Sequence, residues 1–346
     1  MKRIFLIVCL ILLFAVPVNA VELEAPEVPD AGKEYMPQEP QSFAEGLLSI
    51  IKDILSDIGP AISDGAGVCF SLIASVILCS VVKVFPGSPG RIVELVATML
   101  IGYLLLSPSN TLINLGAQTV TELSEYGKLL FPVLTAALAA NGGITKSAAL
   151  YTGAVAFNTV LCNLISSLIV PMIYVFLCAS VASGAIGDKS LEKVKGFLKW
   201  LITWGLKIIL YVFTGYMGIT GVISGSADAA AVKAAKLTIS GVVPVVGGIL
   251  SDASETVLVS AGVVKNSVGI YGMLAVMAVW VGPFIKIGAQ YILLKATCAI
   301  SETFSSERSC KLIGDFATAL GLLLAMTGTV CLLLLISIVC FMKGVG

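Results

Sequence analysis

Long apolar runs separated by short polar stretches make up most of the chain from residue 61 onward. An apolar run of about 20 residues is long enough to cross a bilayer as a helix. Such helices are predicted at 64–82, 92–106, 147–167, 168–187, 200–224, 267–285 and 316–342. A shorter apolar element at 129–140 is predicted to be re-entrant or to cross as well. The pattern therefore predicts an all-α polytopic membrane domain over residues 61–346, with about six to eight spans.

The apolar stretch 129–187 is too long for one crossing. Lys146 is its one charged side chain. At the usual helical rise the stretch would form roughly 88 Å of helix, three times the ~30 Å hydrocarbon core. We therefore expect the stretch 129–187 to fold back on itself. The polar stretch that precedes it, around Glu122, is expected to lie outside the cell.

The first 20 residues have the arrangement of a secretory signal peptide. Lys2 and Arg3 precede an apolar run over 4–16, and the small residues at 18–20 form a cleavage site. Cleavage after Ala20 is expected, and an uncleaved first span is the alternative.

Residues 21–60 are acidic and carry four prolines before Gln41. Up to Gln41 this segment is expected to be extended and mobile. From Ser42 onward, apolar residues recur at intervals of three and four. This spacing predicts an amphipathic helix that lies on the membrane or on a partner.

Composition excludes several classes of function. Of the 346 residues, 58% are hydrophobic and 12% charged, whereas soluble domains carry about 25% charged residues. A soluble enzyme is therefore excluded. The zero net charge and the lack of a basic run argue against nucleic-acid binding. Because the chain has no histidine, histidine-based triads, zinc sites and proton relays are excluded, and we expect neither catalysis nor a cofactor.

The nine cysteines suggest no disulfide framework or metal site. Cys9 lies within the signal sequence, and most of the others lie within apolar segments without a CxxC pair. They are interpreted as small buried hydrophobic side chains.

The distribution of lysine and arginine predicts the orientation. The loop that holds Lys83 and Arg91 and the basic segment 188–199 are predicted to be cytoplasmic, so the acidic N-terminal segment is extracytoplasmic. An odd number of crossings must then separate Glu122 from Lys189. Either 129–143 crosses the membrane, or one of the two spans that follow it is wrong.

A weak internal repeat is predicted between 129–187 and 241–299, and chance similarity between two apolar stretches is the alternative. Pro132 and Pro171 correspond to Pro244 and Pro283 at a constant offset. Paired helix breaks of this kind mark the polar pathway in some transporters, because freed backbone groups must line a wet cavity or lie within protein. The candidate conduit positions are Pro132, Gly142, Gly143, Pro244, Gly247, Gly248, Asp252 and Glu255. An exposed loop helix with solvated acids is the alternative for the last two.

Small and ionisable residues within the spans have other interpretations. Glycines on one face of the 200–224 span are interpreted as helix-packing positions; they are Gly215, Gly218, Gly221 and Gly225. Glu94 and Lys207 are ionisable groups within spans and are functional candidates by default. We favour a structural role for both, Glu94 pairing with Arg91 and Lys207 reaching toward Trp200 at the interface.

One region has a recognisable sequence. It comprises Gly225-Ser226-Ala227-Asp228, the run from Ser240 through Val243-Pro244-Val245-Val246 to Gly248, Leu250-Ser251-Asp252 and Val264 to Gly269, with Phe131-Pro132-Val133-Leu134-Thr135 and Gly142-Gly143 earlier in the chain. These residues closely resemble the stage III sporulation protein AE family of endospore-forming Firmicutes. The similarity extends over nearly the whole chain, and 225–269 is its most specific part.

The resemblance implies a subunit of the complex encoded by the stage III sporulation A operon, located in the mother-cell membrane around the forespore. It implies partners: the other proteins of that operon, including a cytosolic ATPase and ring-forming subunits, a forespore protein across the intermembrane space, and the lipid bilayer. The function expected is that of a channel or secretion subunit that feeds the forespore, with 129–143 and 225–266 bordering the conduit. A non-conducting scaffold and a permease like a secondary transporter are the alternatives. The resemblance assigns no catalytic residue and no substrate.

Overall fold

The computed structural model of the protein describes residues 25–37, 42–57, 59–85, 90–140, 144–187, 189–219, 267–303 and 307–343. Within these ranges every regular element is helical, so the all-α prediction is confirmed. The helices are α1 (Asp30–Lys33), α2 (Phe43–Asp57), α3 (Gly59–Val84), α4 (Gly90–Ala140), α5 (Ile144–Leu164), α6 (Val170–Ile186), α7 (Lys189–Ile219), α8 (Ser267–Glu302) and α9 (Glu307–Lys343).

Six helical stretches in this part of the chain are long and apolar enough to cross a membrane. They are Ile62–Lys83, Ile92–Leu138, Ser147–Ile186, Ser190–Met217, Val268–Glu302 and Arg308–Met342. The prediction of a polytopic membrane protein is confirmed, and the number lies at the lower end of the expected range.

Helix α4 runs without interruption through 51 residues, and it contains both Pro108 and Pro132. The short span at 92–106 and the separate element at 129–140 are therefore parts of one helix, and the expected break at Pro132 does not occur. Proline removes one backbone hydrogen bond. Leu130, Phe131 and Leu134 are buried on both sides of Pro132, and their packing holds the helix together there.

Helices α5 and α6 also form one continuous helix. They are joined by a π-helical turn, Ile165–Ile169, in which the N–H of Val170 donates to the carbonyl of Ile165. The two spans predicted at 147–167 and 168–187 are thus one, because residues 164–169 contain neither the glycine nor the proline that a tight reversal needs. The chain does fold back as expected, but only between α4 and α5. The sidedness predicted for Glu122 and Lys189 stays a prediction.

Helix α9 forms the centre of the bundle, and its apolar span is entirely buried. It runs alongside α4: Gly116 lies against Met326 and Thr327, and the rings of Phe131 and Phe341 stack at 6.1 Å. Helix α8 precedes α9 in a hairpin and packs along it. Pro283 lies inside α8, which continues through it.

The acidic N-terminal segment is more ordered than expected. Val28 and Gly32 are buried, and Gly32 lies against Val279 of α8. The predicted amphipathic helix is α2, whose Phe43, Ile50 and Ile54 are buried. Helix α2 packs against α8 of the same chain, since its apolar stripe is complementary to the bundle.

Two cysteines depart from the expectation of unpaired hydrophobic residues. Cys298 of α8 and Cys310 of α9 form a disulfide, with their Cα atoms 5.1 Å apart. The pairing links the two arms of the α8–α9 hairpin. The disulfide could not be predicted from the sequence, because the two cysteines are not in a CxxC motif and do not belong to a recognisable disulfide pattern.

Candidate functional site

Charged side chains from four helices meet at one end of the bundle. We call them the charge cluster: Lys83 of α3, Glu94 of α4, Glu192 and Lys195 of α7, and Arg308, Lys311 and Asp315 of α9. Ionisable groups within membrane helices are costly, and they are functional candidates by default.

Lys195 is the most buried member, with 4% of its surface exposed. Its Nζ lies 2.5 Å from Oδ2 of Asp315 and 2.9 Å from Oε1 of Glu192. Helix α7 supplies Lys195 and Glu192 one turn apart, and α9 supplies Asp315 where its polar N-terminal part gives way to the apolar span. The ammonium group is therefore buried and paired with two carboxylates.

Glu192 connects this pair to neighbouring helices. It accepts a hydrogen bond from Oγ of Ser183 at 2.9 Å, and its second oxygen lies 3.1 Å from Nζ of Lys311. Because Ser183 belongs to α6, Glu192 holds together α6, α7 and α9.

Glu94 extends the cluster to α3 and α4. Its carboxylate oxygens lie 3.5 Å from Nη1 of Arg308 and 3.8 Å from Nζ of Lys83. Glu94 thus has ion-pair partners on other helices, and the structural role predicted for it stays a prediction. The side chain of Arg91, its expected partner, lies outside the described residues.

Gly187 ends α6 beside the cluster. Its φ of 77° is in the left-handed region, and its N–H donates to the carbonyl of Ser183 at 2.8 Å. A Cβ at this position would lie 2.8 Å from Cζ of Arg308. Glycine is therefore required twice: it adopts the left-handed conformation that ends the helix, and its lack of a side chain leaves room for the guanidinium group of Arg308.

Replacing Gly187 with alanine is expected to destabilise the protein by about 1–2 kcal/mol, because a side chain is disfavoured in the left-handed conformation, and to displace Arg308 from Glu94. Thermal unfolding of the detergent-solubilised variant measures the loss. Gly196→Ala is the control, since no atom lies within 4 Å of a Cβ there and alanine favours the helix. Equal stability of the two variants would contradict the role assigned to Gly187.

A cavity of about 210 Å³ lies within the cluster. Lys195, Arg308 and Lys311 line it together with Glu192 and Asp315, and Ser180, Ser183, Gly184, Gly187 and Leu312 complete its wall. It has room for several water molecules or a small polar solute, and its walls offer both hydrogen-bond donors and acceptors.

In the part of the chain that the structure describes, one group of side chains has metal-ligand chemistry. The thiol sulfurs of Cys298 and Cys310 and a carboxylate oxygen of Glu302 all lie within 4.8 Å of one another. Three such ligands suit a soft divalent cation, but sulfurs joined in a disulfide are not ligands. The expectation of no cofactor stays a prediction.

The other predicted site residues are scattered. Lys207 is half-buried on α7, and Pro132 is exposed on α4. Gly215 is exposed, and a Cβ there would meet no atom within 4 Å, so it does not pack against a described helix. Gly218 lies on α7, but its surroundings are outside the described residues. Also outside them are Gly142, Gly143, Gly221, Gly225, Pro244, Gly247, Gly248, Asp252 and Glu255.

The pairing of Lys195 with Asp315 was missed by sequence reasoning, because the two residues are 120 positions apart. One signal was available. Asp315 directly precedes the long apolar run 316–342, where an acid is unexpected unless it has a partner.

The sequence profile of the family described as stage III sporulation protein AE matches residues 38–344. The chain belongs to this family. A relative, stage III sporulation protein AE of Bacillus subtilis (strain 168), is 24% identical over 204 residues, which cover 59% of this chain and 51% of the relative. The match thus spans about half the length of that relative. No solved structure matches the chain.

Membership in the stage III sporulation protein AE family confirms the resemblance found in the sequence and associates the protein with sporulation. Its apolar helices make it a membrane protein. The family match includes the entire charge cluster and the 225–269 region that carries the sequence resemblance.

Proposed function

We propose that this member of the stage III sporulation protein AE family is a membrane subunit of a channel or secretion apparatus that links mother cell and forespore and that forespore development requires. The observation that carries the proposal is the polar cavity of about 210 Å³ within the charge cluster. In membrane proteins, ionisable groups that face the bundle interior characteristically mark solute and ion pathways.

The proposal includes an orientation and partners. The end of the bundle that carries the charge cluster faces the mother-cell cytoplasm, because lysine and arginine are retained on that side. The acidic N-terminal segment faces the intermembrane space. The protein itself is not an enzyme, and a cytosolic ATPase supplies the energy. Other subunits encoded with it form rings, and a forespore protein completes the connection across the two membranes.

Replacing the buried pair with apolar side chains tests this function. In the double variant Lys195→Met and Asp315→Leu, both charges are removed together, so no unpaired charge remains between them, and Glu192 keeps Ser183 and Lys311 as partners. Such replacements often leave stability unchanged or raise it. We expect the variant to assemble with its partners and to abolish forespore development, which is measured by counting mature spores.

The control is Lys193→Met, which removes an exposed charge two residues earlier on α7, and it should leave spore counts at the parental level. If the double variant assembles and sporulates normally, the charges have no part in transport. The charge cluster would then not border the conduit, and the scaffold alternative would be favoured.

A further inference from the structure

One face of α4 is polar although it is exposed. Eight residues on it have exposed side chains and recur at intervals of one to four positions, which places them along one side of the helix. We call them the polar stripe: Ser107, Asn110, Thr111, Asn114, Gln118, Thr121, Glu125 and Lys128. Residues 107–128 extend over about 32 Å of helix, which is close to the ~30 Å thickness of the hydrocarbon core.

Contacts between helices show which parts of α5 and α7 lie beside the polar stripe. Residues at the same level along the bundle axis are described here as being at the same height. The side-chain amide of Asn158 on α5 donates to Oγ of Ser124 at 3.2 Å, so this part of α5 lies beside the stripe. The rings of Phe157 and Phe213 are 5.4 Å apart, which brings the middle of α7 to the same height.

At this height α5 and α7 expose large apolar side chains, beside smaller polar ones such as Thr159. Val160 is 56% exposed, Tyr211 54% and Val212 55%. Side chains of this kind face lipid in a membrane protein, since water would not favour them. The polar stripe therefore shares its height with the lipid-facing surface of the bundle, although the sequence placed this stretch outside the membrane.

The polar surface continues from α4 onto the π-helical turn. A second cavity, of about 170 Å³, is lined by Ser124, Glu125 and Lys128 of α4 and by Asn163 and Ser166 beside and within the turn. Within α-helices, π-helical turns occur frequently at functional sites. Nearer the start of the stripe, on the same continuous helix, the hydroxyl of Tyr174 donates to Oδ1 of Asn110 at 2.7 Å.

Hydrocarbon is an unfavourable neighbour for this surface. An ionised side chain at the centre of a bilayer costs about 2.5–3.5 kcal/mol even on insertion scales, and the stripe contains both Glu125 and Lys128 beside six uncharged polar residues. We propose that the polar stripe is the water-facing wall of the conduit, and that hydrated polar solutes pass along it. This inference rests on the proposed channel function and locates its path on the surface of α4.

Cysteine accessibility tests the inference on the full chain in membranes of sporulating cells. Asn114→Cys, Gln118→Cys and Thr121→Cys place a thiol on the stripe, and Val160→Cys and Val212→Cys place one at the same height on the apolar surface. Open membrane sheets are treated with a sulfonated maleimide, so that the reagent reaches both sides. The parent chain supplies the background from native cysteines.

The stripe cysteines are expected to react at least about tenfold faster than the two apolar controls, because the reactive thiolate forms in water and not in hydrocarbon. Equal, slow reaction of both sets would overturn the inference. Equal, fast reaction would also overturn it, because this height would then lie outside the bilayer. Slow reaction combined with disulfide cross-linking between stripe cysteines of neighbouring copies would assign the stripe to a protein interface instead.

These outcomes are independent of the spore counts. A strain that lacks the protein and still sporulates normally would refute the proposed function, whatever the labelling rates. Normal dependence of sporulation on the protein, together with an unreactive stripe, would refute only the inference about α4.

Discussion

Lys195→Met is expected to lower the free energy of unfolding by about 3–5 kcal/mol, because it leaves the Asp315 carboxylate buried without its cation. Lys195 is 4% exposed and pairs with both Asp315 and Glu192, so its loss removes the cation nearest to both carboxylates. The loss is measured from denaturant titrations of the protein in detergent micelles, followed by helical circular dichroism.

The control for this variant is Lys193→Met, whose lysine is exposed on the same helix; surface changes of this kind usually alter stability by less than about 0.5 kcal/mol. Adding Asp315→Leu to Lys195→Met should recover most of the lost stability, since both buried charges are then absent. A double variant less stable than Lys195→Met would show that the pair is not the source of the effect.

Gly153→Leu is expected to separate α5 from α7 and to lower the free energy of unfolding by about 1–3 kcal/mol or more, as overpacking does elsewhere. Gly153 is buried against the ring of Tyr216, whose hydroxyl donates to the carbonyl of Ala149 at 2.8 Å. A leucine side chain would displace the ring and break this hydrogen bond. The change is measured by thermal unfolding in detergent.

Gly215→Leu is the matched control, because it adds the same side chain to α7 one residue before Tyr216, where a Cβ would meet no atom within 4 Å. Its stability should remain close to that of the parent. If Gly215→Leu is the more damaging of the two, the helix contact lies on the face of α7 that the glycine pattern predicts.

Features determined by local sequence were predictable. The long apolar run at 316–342 predicts α9, and the spacing of Leu47, Ile50 and Ile54 predicts α2. Length alone was misleading at 147–187, because a continuous helix and a hairpin of two helices have the same hydropathy. Proline was expected to break the helix at Pro132, but buried residues on both sides of it keep the helix continuous. Their burial depends on tertiary packing and cannot be read from the local sequence.

The candidate site depends on tertiary proximity and was predicted only in part. Glu94 stood out as a charge within a span, but its partners Lys83 and Arg308 belong to other helices. Gly153 was indistinguishable from other small residues until Tyr216 was placed against it. The polar stretch of α4 was recognised, but its height relative to Val212 depends on how α7 packs.

The length of α4 has a consequence for the architecture around the protein. Its 51 residues extend over about 75 Å, whereas a bilayer with its headgroups is about 40–45 Å thick. Even at a steep tilt of about 40°, a rod of this length emerges from the lipid. Helices α5 and α9 pack against α4, so the part of α4 outside the lipid is supported. A protein that binds the end of α4 is therefore held at a distance from the bilayer surface.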